Sequence, residues 1–157
     1  MYLLLSKICK VLNDNNVIYL IIGGTAVAYH GYSRKTTLPD GKESDKYDFD
    51  IWYQPTLKNY INIIKSLKYF DINFNDNDLS KFYIFRKEYD NYKLDLIPFL
   101  EKLDRKRCKK LFIQFYNRCY TSTINNIKLY FISKEDLIYI KKFSNRPKDI
   151  DDIKNLS

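Results

Sequence analysis

Histidine, cysteine, glycine and proline are scarce in this 157-residue chain, and each scarcity excludes a class of protein. A single histidine, His30, cannot build a histidine-rich metal site, and it excludes Ser-His-Asp chemistry at any other histidine. Three cysteines without a CxxC spacing exclude a zinc ribbon and a disulfide scaffold. The four glycines and four prolines form no flexible linker, so we expect each of them to mark a local feature.

Long apolar runs are also missing. The longest, Val17–Ile22, is far shorter than the roughly 18 residues that cross a bilayer, and the first residues lack a basic leader with a cleavage site. We therefore expect no membrane segment and no secretion signal. A cytoplasmic location is expected, because unpaired cysteines suit a reducing compartment.

Basic residues outnumber acidic ones by 27 to 19, which gives a net charge of +8 at pH 7. This surplus favours a polyanionic partner, such as nucleic acid or the phosphates of a nucleotide. It is concentrated in Lys102–Lys110, where six of nine residues are basic. A solvated, lysine-rich helix would show the same run, so both interpretations stay open. With 45% hydrophobic residues, the chain can build the core of one globular domain.

Apolar periodicity and turn signals predict alternating helices and strands. The predicted helices cover residues 2–13, 25–29, 55–69, 99–110, 133–143 and 147–156. The predicted strands cover residues 17–22, 47–53, 81–86 and 92–97, with one or two more within 111–131 and an exposed loop over 33–46. This order predicts an α/β or α+β fold in which helices flank a mixed sheet. We expect one domain over 1–157, with a sheet-bearing catalytic core over 1–131 and a helical segment over 132–157.

Two aspartates interrupt the apolar and aromatic strand predicted over 47–53. Because side chains alternate along a strand, Asp48 and Asp50 share one face while Phe49 and Ile51 share the other. Two neighbouring carboxylates repel each other, and burying them is costly unless a positive charge compensates. A hard divalent cation is the simplest compensation, and magnesium prefers such ligands. The alternative is an edge strand with a solvated polar face.

A third aspartate, Asp95, interrupts the strand predicted over 92–97. If this strand lies beside the strand 47–53, three carboxylates converge and could hold two metal ions about 4 Å apart for phosphoryl transfer. The alternative is that Lys93 simply pairs with Asp95 at the surface.

Two glycines follow the first predicted strand. Gly23 and Gly24 let backbone amides approach an anion closely, and Thr25 adds a hydroxyl at the start of the next helix. This pattern is typical of a phosphate-binding turn, although a tight turn without a ligand would look the same.

Together these motifs resemble the nucleotidyltransferase superfamily typified by DNA polymerase β, and in particular its small bacterial branch of abortive-infection-type toxin nucleotidyltransferases. The resemblance covers nearly the whole chain and is weakest between residues 55 and 130. The matching positions are Gly23–Gly31, Arg34, Thr36, Asp48–Ile51, Ile132–Ile138, Lys141, Arg146–Ile150 and Asp152–Ile153.

The resemblance implies a minimal nucleotidyltransferase palm that transfers a nucleoside monophosphate from a nucleoside triphosphate to an acceptor hydroxyl. It implies that Gly23, Gly24 and Thr25 cradle the triphosphate and that Arg34 and Lys141 neutralise phosphate charge. It further implies that Asp48, Asp50 and Asp95 are the catalytic, metal-binding carboxylates, with Mg²⁺ or Mn²⁺ as the cofactor.

The resemblance and the charge together favour an RNA acceptor, such as the end of a tRNA, held by Lys102–Lys110. The alternative acceptors are a protein hydroxyl and a small molecule such as an aminoglycoside. The resemblance also implies a toxin–antitoxin or phage-defence role, with a cognate antitoxin protein as partner. Asp149 and Asp152 share a helix face, where they either form surface ion pairs or anchor Arg146 or Lys141 at the site. His30 is expected to pack or hydrogen-bond rather than to act as a base.

One departure from the family pattern is the spacing between Gly24 and Asp48, which leaves 23 residues in between. The surplus falls around Leu38–Lys46 and is expected to act as a lid, an acceptor-recognition element or a partner-binding surface. The principal alternative to an enzyme is a non-catalytic module that keeps the fold and binds nucleic acid or a partner protein.

Overall fold

The computed structural model describes residues 1–37, 40 and 42–157, and the described residues form six α-helices and eight β-strands. The helices are α1 (Tyr2–Asp14), α2 (Gly23–Tyr29), α3 (Leu57–Leu67), α4 (Arg105–Tyr116), α5 (Lys134–Ser144) and α6 (Pro147–Leu156). The strands are β1 (Tyr19–Ile22), β2 (Thr36–Thr37), β3 (Glu43–Ser44), β4 (Tyr47–Tyr53), β5 (Phe85–Glu88), β6 (Tyr92–Ile97), β7 (Tyr120–Ile124) and β8 (Ile127–Phe131).

Six of these strands form one sheet in the order β5-β6-β4-β1-β8-β7. The β4–β6 and β1–β8 pairs are parallel and the β1–β4, β5–β6 and β7–β8 pairs are antiparallel, so the sheet is mixed. This confirms the predicted α+β class. It also puts β4, which carries the two aspartates, at the centre of the sheet.

Aromatic side chains build the core on both faces of β4. Tyr53 stacks on Tyr60 of α3, while Trp52, which points to the opposite face, meets Phe112 of α4 edge to face. Tyr53, Tyr60, Trp52 and Phe112 are all fully buried. Beyond Trp52 this second face carries Asp50 and Asp48, so the apolar core ends where the charged side chains begin.

The last two helices begin where the sequence predicts. Ser133 caps α5 by accepting a hydrogen bond from the Asp136 backbone amide, and Pro147 is the first residue of α6. The two helices pack together through Lys141, which reaches Asp149 and Asp152.

Three predicted segments differ from the structure. The helix predicted over 99–110 is α4, which begins at Arg105 behind the cap residue Asp104 and continues to Tyr116. Residues 111–116 are therefore helical. Of the one or two strands predicted within 111–131, the structure has two, β7 and β8, which lie after this helix. The strand predicted over 81–86 is β5, which begins at Phe85.

The segment 33–46, predicted to be a loop, contains the short antiparallel pair of β2 and β3. Within the predicted insertion Leu38–Lys46, residues Leu38, Pro39 and Gly41 lie outside the described residues.

No helix within residues 1–37, 40 and 42–157 has both the length and the apolar character needed to cross a membrane.

Candidate active site

Asp48 and Asp50 lie on one face of β4, as the alternation predicts. Both side chains are half-buried, whereas Phe49 and Ile51 between and beyond them are fully buried on the other face. Because β4 is paired on both sides, the alternative of an edge strand is wrong.

Asp95 lies beside Asp50 on the neighbouring parallel strand, because the β4–β6 register pairs these two residues. The predicted adjacency of the two strands is therefore confirmed. Asp95 is buried, and its Oδ2 accepts hydrogen bonds from Arg86 Nε at 3.2 Å and from Lys93 Nζ at 3.1 Å. The alternative that Lys93 pairs with Asp95 is also correct. Both residues line a cavity beside Asp48 and Asp50, so the pair is part of the site.

Two adjoining cavities meet at the aspartates. The hairpin-side cavity, of about 470 Å³, lies between α2, β3 and the start of β4. The sheet-side cavity, of about 310 Å³, lies between the strands β4, β5 and β6 and the helices α5 and α6. Both are lined by Gly24, Arg34, Asp48, Asp50 and Lys148. A bound molecule can therefore approach the carboxylates from two sides.

A third cavity, of about 690 Å³, lies away from the aspartates, beside Asn59 and Tyr116. None of the predicted site residues lines it.

The carboxylates of the site repel one another. Burial, followed by the charges of Asp48 and Asp95, raises the pKa of Asp50 to about 7. Burial also raises the pKa of Asp48, although Lys93 opposes this shift. One oxygen each of Asp48 and Asp95, the Oδ1 atoms, is buried without a hydrogen-bond partner among the described residues. The face therefore presents two carboxylate oxygens to which no described residue donates a hydrogen bond.

The arrangement does not by itself constitute a metal site. Across residues 1–37, 40 and 42–157, no three His, Cys, Asp or Glu side chains are grouped so that they could hold a metal ion. Arg86 and Lys93 both form ion pairs with Oδ2 of Asp95. The role of Asp95 as a third metal ligand stays a prediction.

Gly23 lets the Asp50 carboxylate approach the chain at the end of β1. Its backbone is left-handed, with φ at +65°, and a Cβ at this position would overlap the Asp50 side chain. Gly24 is different, since a Cβ there would meet no atom of the described residues within 4 Å. The first glycine is therefore required by Asp50, and the second leaves open space beside both cavities.

Gly23→Ala should destabilise the fold by about 1–3 kcal/mol, because alanine is strained at this φ and displaces Asp50. Gly24→Ala is the matched control and should stay within about 1 kcal/mol of the wild type. Chemical denaturation of both variants measures the difference. Equal stability of the two variants would contradict the requirement that we assign to Gly23.

Thr25 connects α2 to β4 through a hydrogen bond. Its side chain is buried, and its hydroxyl donates a hydrogen bond to the backbone oxygen of Asp48 at 3.0 Å. Because this proton is donated to Asp48, the hydroxyl cannot donate it to a phosphate as well. The contact of Thr25 with the triphosphate therefore stays a prediction.

Arg34 and Lys141 meet at a buried carboxylate. Arg34 Nε lies 2.6 Å from Asp152 Oδ1, and Lys141 Nζ lies 2.7 Å from Asp152 Oδ2 and 3.1 Å from Asp149 Oδ1. Arg146 also reaches Asp149, at 2.7 Å. Although burial opposes it, these partners hold the pKa of Asp149 at about 2. Of the two predicted roles for Asp149 and Asp152, anchoring Arg146 and Lys141 is the one that the structure confirms.

Sequence reasoning included Lys148 in the matching run Arg146–Ile150 but assigned it no role, and it did not recognise Arg86. Lys148 is half-buried on α6, and burial lowers its pKa, with Arg146 adding to the shift. Its position between Pro147 and Asp149 carries no periodic signal that could have found it. Arg86 could be identified only from the β5–β6 register, which pairs it with Asp95.

His30 makes a structural contact, as expected. Its Nε2 lies 2.7 Å from the Ile132 carbonyl oxygen, away from both cavities.

The fold and the site together define a class. The sheet is mixed and has a central Asp-x-Asp strand. An earlier strand leads into a helix that begins with two glycines, and two packed helices end the chain. This arrangement is an α+β nucleotidyltransferase fold. A solved structure agrees with this assignment. The crystal structure of an antigenic nucleotidyltransferase-like protein from Paracoccidioides brasiliensis matches with a TM-score of 0.53 over 96% of this chain and 72% of that chain, at 18% sequence identity.

The chain belongs to the family described as "Nucleotidyltransferase of unknown function (DUF6036)", whose model matches residues 3–157. The predicted membership of the nucleotidyltransferase superfamily is thereby confirmed. A search of curated proteins finds no match.

Proposed function

We propose that the protein transfers a nucleoside monophosphate from a nucleoside triphosphate to an acceptor hydroxyl, with the help of a divalent cation. The observation that carries this proposal is the carboxylate pair Asp48 and Asp50 at the junction of two cavities, next to Asp95. The unpartnered Oδ1 atom of Asp48 fits a hard cation such as Mg²⁺ or Mn²⁺, which takes oxygen ligands. When bound, such an ion neutralises charge on the phosphate oxygens.

The reaction balances without a further reactant. The acceptor hydroxyl oxygen forms a bond to the α-phosphorus, and the bond from that phosphorus to the oxygen bridging to the β-phosphate breaks. Pyrophosphate leaves with the electron pair, and the hydroxyl proton passes to a carboxylate. We assign this proton to Asp95, whose Oδ1 has no hydrogen-bond partner among the described residues and lies beside Asp50. The protein contributes mainly position and charge, as in other phosphoryl transfers.

Calorimetric titration of nucleoside triphosphates, with and without Mg²⁺ or Mn²⁺, tests the proposal without knowledge of the acceptor. We expect metal-dependent binding to the wild type and no metal-dependent binding to the Asp48→Asn/Asp50→Asn double variant. Failure of the wild type to bind any triphosphate would refute the proposal.

An RNA acceptor is the form of this function that the charges support best. The basic side chains of Lys102–Lys110 are exposed on and before α4. The run reaches the rim of the sheet-side cavity at two points: Lys102 Nζ donates to the Ser144 backbone oxygen at 2.5 Å, and Arg105 lies 5.0 Å from the centre of the Phe99 ring. An RNA backbone along α4 would therefore end beside the carboxylates.

Reversing two charges of this run should weaken RNA binding. Lys106 and Lys110 are exposed one helical turn apart, and we expect Lys106→Glu/Lys110→Glu to reduce affinity for a tRNA fraction about tenfold at ~0.1 M salt. The slope of the logarithm of affinity against the logarithm of salt concentration should fall by about 2. The control, Lys58→Glu/Lys65→Glu on α3, makes the same charge change on the other face of the sheet and should leave binding nearly unchanged. Equal loss in both variants would argue against a defined RNA surface.

A second candidate is a non-catalytic module, and the ion pairs of Asp95 favour it. Arg86 and Lys93 already pair with Oδ2 of this carboxylate, as they would in a site where Asp95 has only a structural role. Such a module predicts binding of polyanions that ignores divalent metal and survives Asp50→Ala. The toxin–antitoxin or phage-defence role and a cognate antitoxin partner stay predictions of the sequence.

A further inference from the structure

Basic side chains surround the two cavities, and almost all of them are already paired with carboxylates. Eight lysine and arginine side chains line one cavity or both. Seven of these have a carboxylate oxygen within 4.0 Å: Arg34, Lys35, Lys46, Arg86, Lys93, Lys141 and Arg146. Within the part of the chain that the structure describes, the eighth, Lys148, has neither an ion pair nor a side-chain hydrogen bond.

The position of Lys148 makes this exception informative. It is half-buried near the start of α6, and it lines both cavities together with Asp48 and Asp50. A fully exposed lysine needs no partner because water solvates it, but a half-buried ammonium group has lost part of that solvation. Its three N–H donors are available to a molecule that enters either cavity.

The paired residues are poorly suited to the same task. Arg34 and Lys141 donate to Asp152, which is fully buried, so their charges are matched within the fold. A phosphate would have to compete with that carboxylate for their donors. Lys148 would need to give up no contact.

We propose that Lys148 is the residue that binds the phosphates of the nucleotide, at the junction of the two cavities, while Arg34 and Lys141 hold α6 in place. The inference rests on the proposed function. The nucleotide is favoured over an acceptor phosphate, because Lys148 lies beside the aspartates where the reacting phosphate must come.

The first experiment compares triphosphate binding by variants of α6. Lys148→Met should weaken binding of a nucleoside triphosphate in the presence of Mg²⁺ about tenfold to a hundredfold, as expected for the loss of a charged hydrogen bond. Lys148→Arg should retain most of the affinity. Lys154→Met, an exposed lysine of the same helix, is the control and should bind like the wild type. Thermal unfolding establishes that all three variants are folded.

Inorganic tripolyphosphate separates this inference from the proposed function. In the metal-free Asp48→Asn/Asp50→Asn protein, which lacks the repelling carboxylates, tripolyphosphate should still bind and should lose affinity when Lys148→Met is added. That result supports the role of Lys148 even if no metal-dependent nucleotide binding is found. Unchanged affinity in every Lys148 variant would overturn the inference. If metal-dependent nucleotide binding is at the same time lost in the double aspartate variant, the proposed function stands.

Chemical labelling gives a readout on the wild-type protein. Tripolyphosphate should protect the Lys148 amine from acetic anhydride, measured by mass spectrometry of peptides, and should leave Lys154 equally reactive. Equal labelling of Lys148 with and without tripolyphosphate would count against the inference.

Discussion

Replacing both Asp48 and Asp50 by asparagine is expected to lower nucleotidyl transfer about a thousandfold or more, while the protein stays folded. Both carboxylates line both cavities, and asparagine keeps their size but removes the charge that holds a divalent cation. The assay follows label from an α-phosphate-labelled nucleoside triphosphate into a tRNA fraction in Mg²⁺ or Mn²⁺.

The matched control for this variant is Asp45→Asn. Asp45 also lines the hairpin-side cavity, but its side chain is 96% exposed. It should therefore retain transfer close to the wild-type level. Full transfer by the double variant would exclude the proposed mechanism, and loss of transfer in Asp45→Asn would show that the assay reports a general change of charge.

The pH dependence of stability gives a second check on the same carboxylates. The pKa of Asp50 is about 7 in the folded protein, whereas a carboxyl group in the unfolded chain has a pKa near 4. The folded state thus holds the proton more tightly, so the stabilising effect of this group is lost as the pH rises from ~4 to about 7. In metal-free solution at pH 8 the double variant should therefore be more stable than the wild type, by ~1–3 kcal/mol, and the gain should shrink near pH 5.

Local signals were sufficient where neighbouring residues determine the structure. The alternation at Asp48-Phe49-Asp50-Ile51 placed both aspartates on one face, and the Ser133 cap and Pro147 marked the starts of α5 and α6. Each of these features depends on side chains within about four residues, which is the range over which capping and strand alternation act.

The sequence interpretation was wrong where one pattern fits two structures. Leu111, Phe112 and Phe115 form a short apolar stretch that suits a strand or a buried helix equally well. In the structure they continue α4, where Phe112 and Phe115 pack against Trp52. The predicted helix began at residue 99, whereas the helix begins at Arg105, after the cap residue Asp104.

Contacts between distant parts of the chain lay beyond the sequence. Asp152 joins Arg34 across 118 residues of sequence, and Asp95 joins Arg86 only through the register of β5 and β6. As a result, sequence reasoning could identify charged residues near the site but could not tell which charges the fold had already paired. This distinction separates Lys148 from Arg34 and Lys141.

The ion cluster around Asp152 should account for a large share of the stability. Asp152→Ala leaves Arg34 without its carboxylate and leaves Lys141 with Asp149 alone, in a site where Lys141 and both aspartates are buried. Removing one partner of a buried ion pair costs about 3–5 kcal/mol, which for a chain of this size lowers the midpoint of thermal unfolding by roughly 10 °C.

The neighbouring residue supplies the control. Asp151 is exposed and accepts a hydrogen bond from Tyr32, so Asp151→Ala should cost less than about 1 kcal/mol.

The effect of pH on the stabilisation by Asp152 has the opposite sign to that of Asp50. Burial raises the pKa of Asp152, but the ion pairs with Arg34 and Lys141 outweigh this and hold it low, so its stabilising effect is present above pH ~4 and is lost as the pH falls through the folded pKa. The difference between wild type and Asp152→Ala should therefore be largest at neutral pH and should narrow in acid. A difference that does not change with pH would mean that the aspartate acts through packing rather than through its charge.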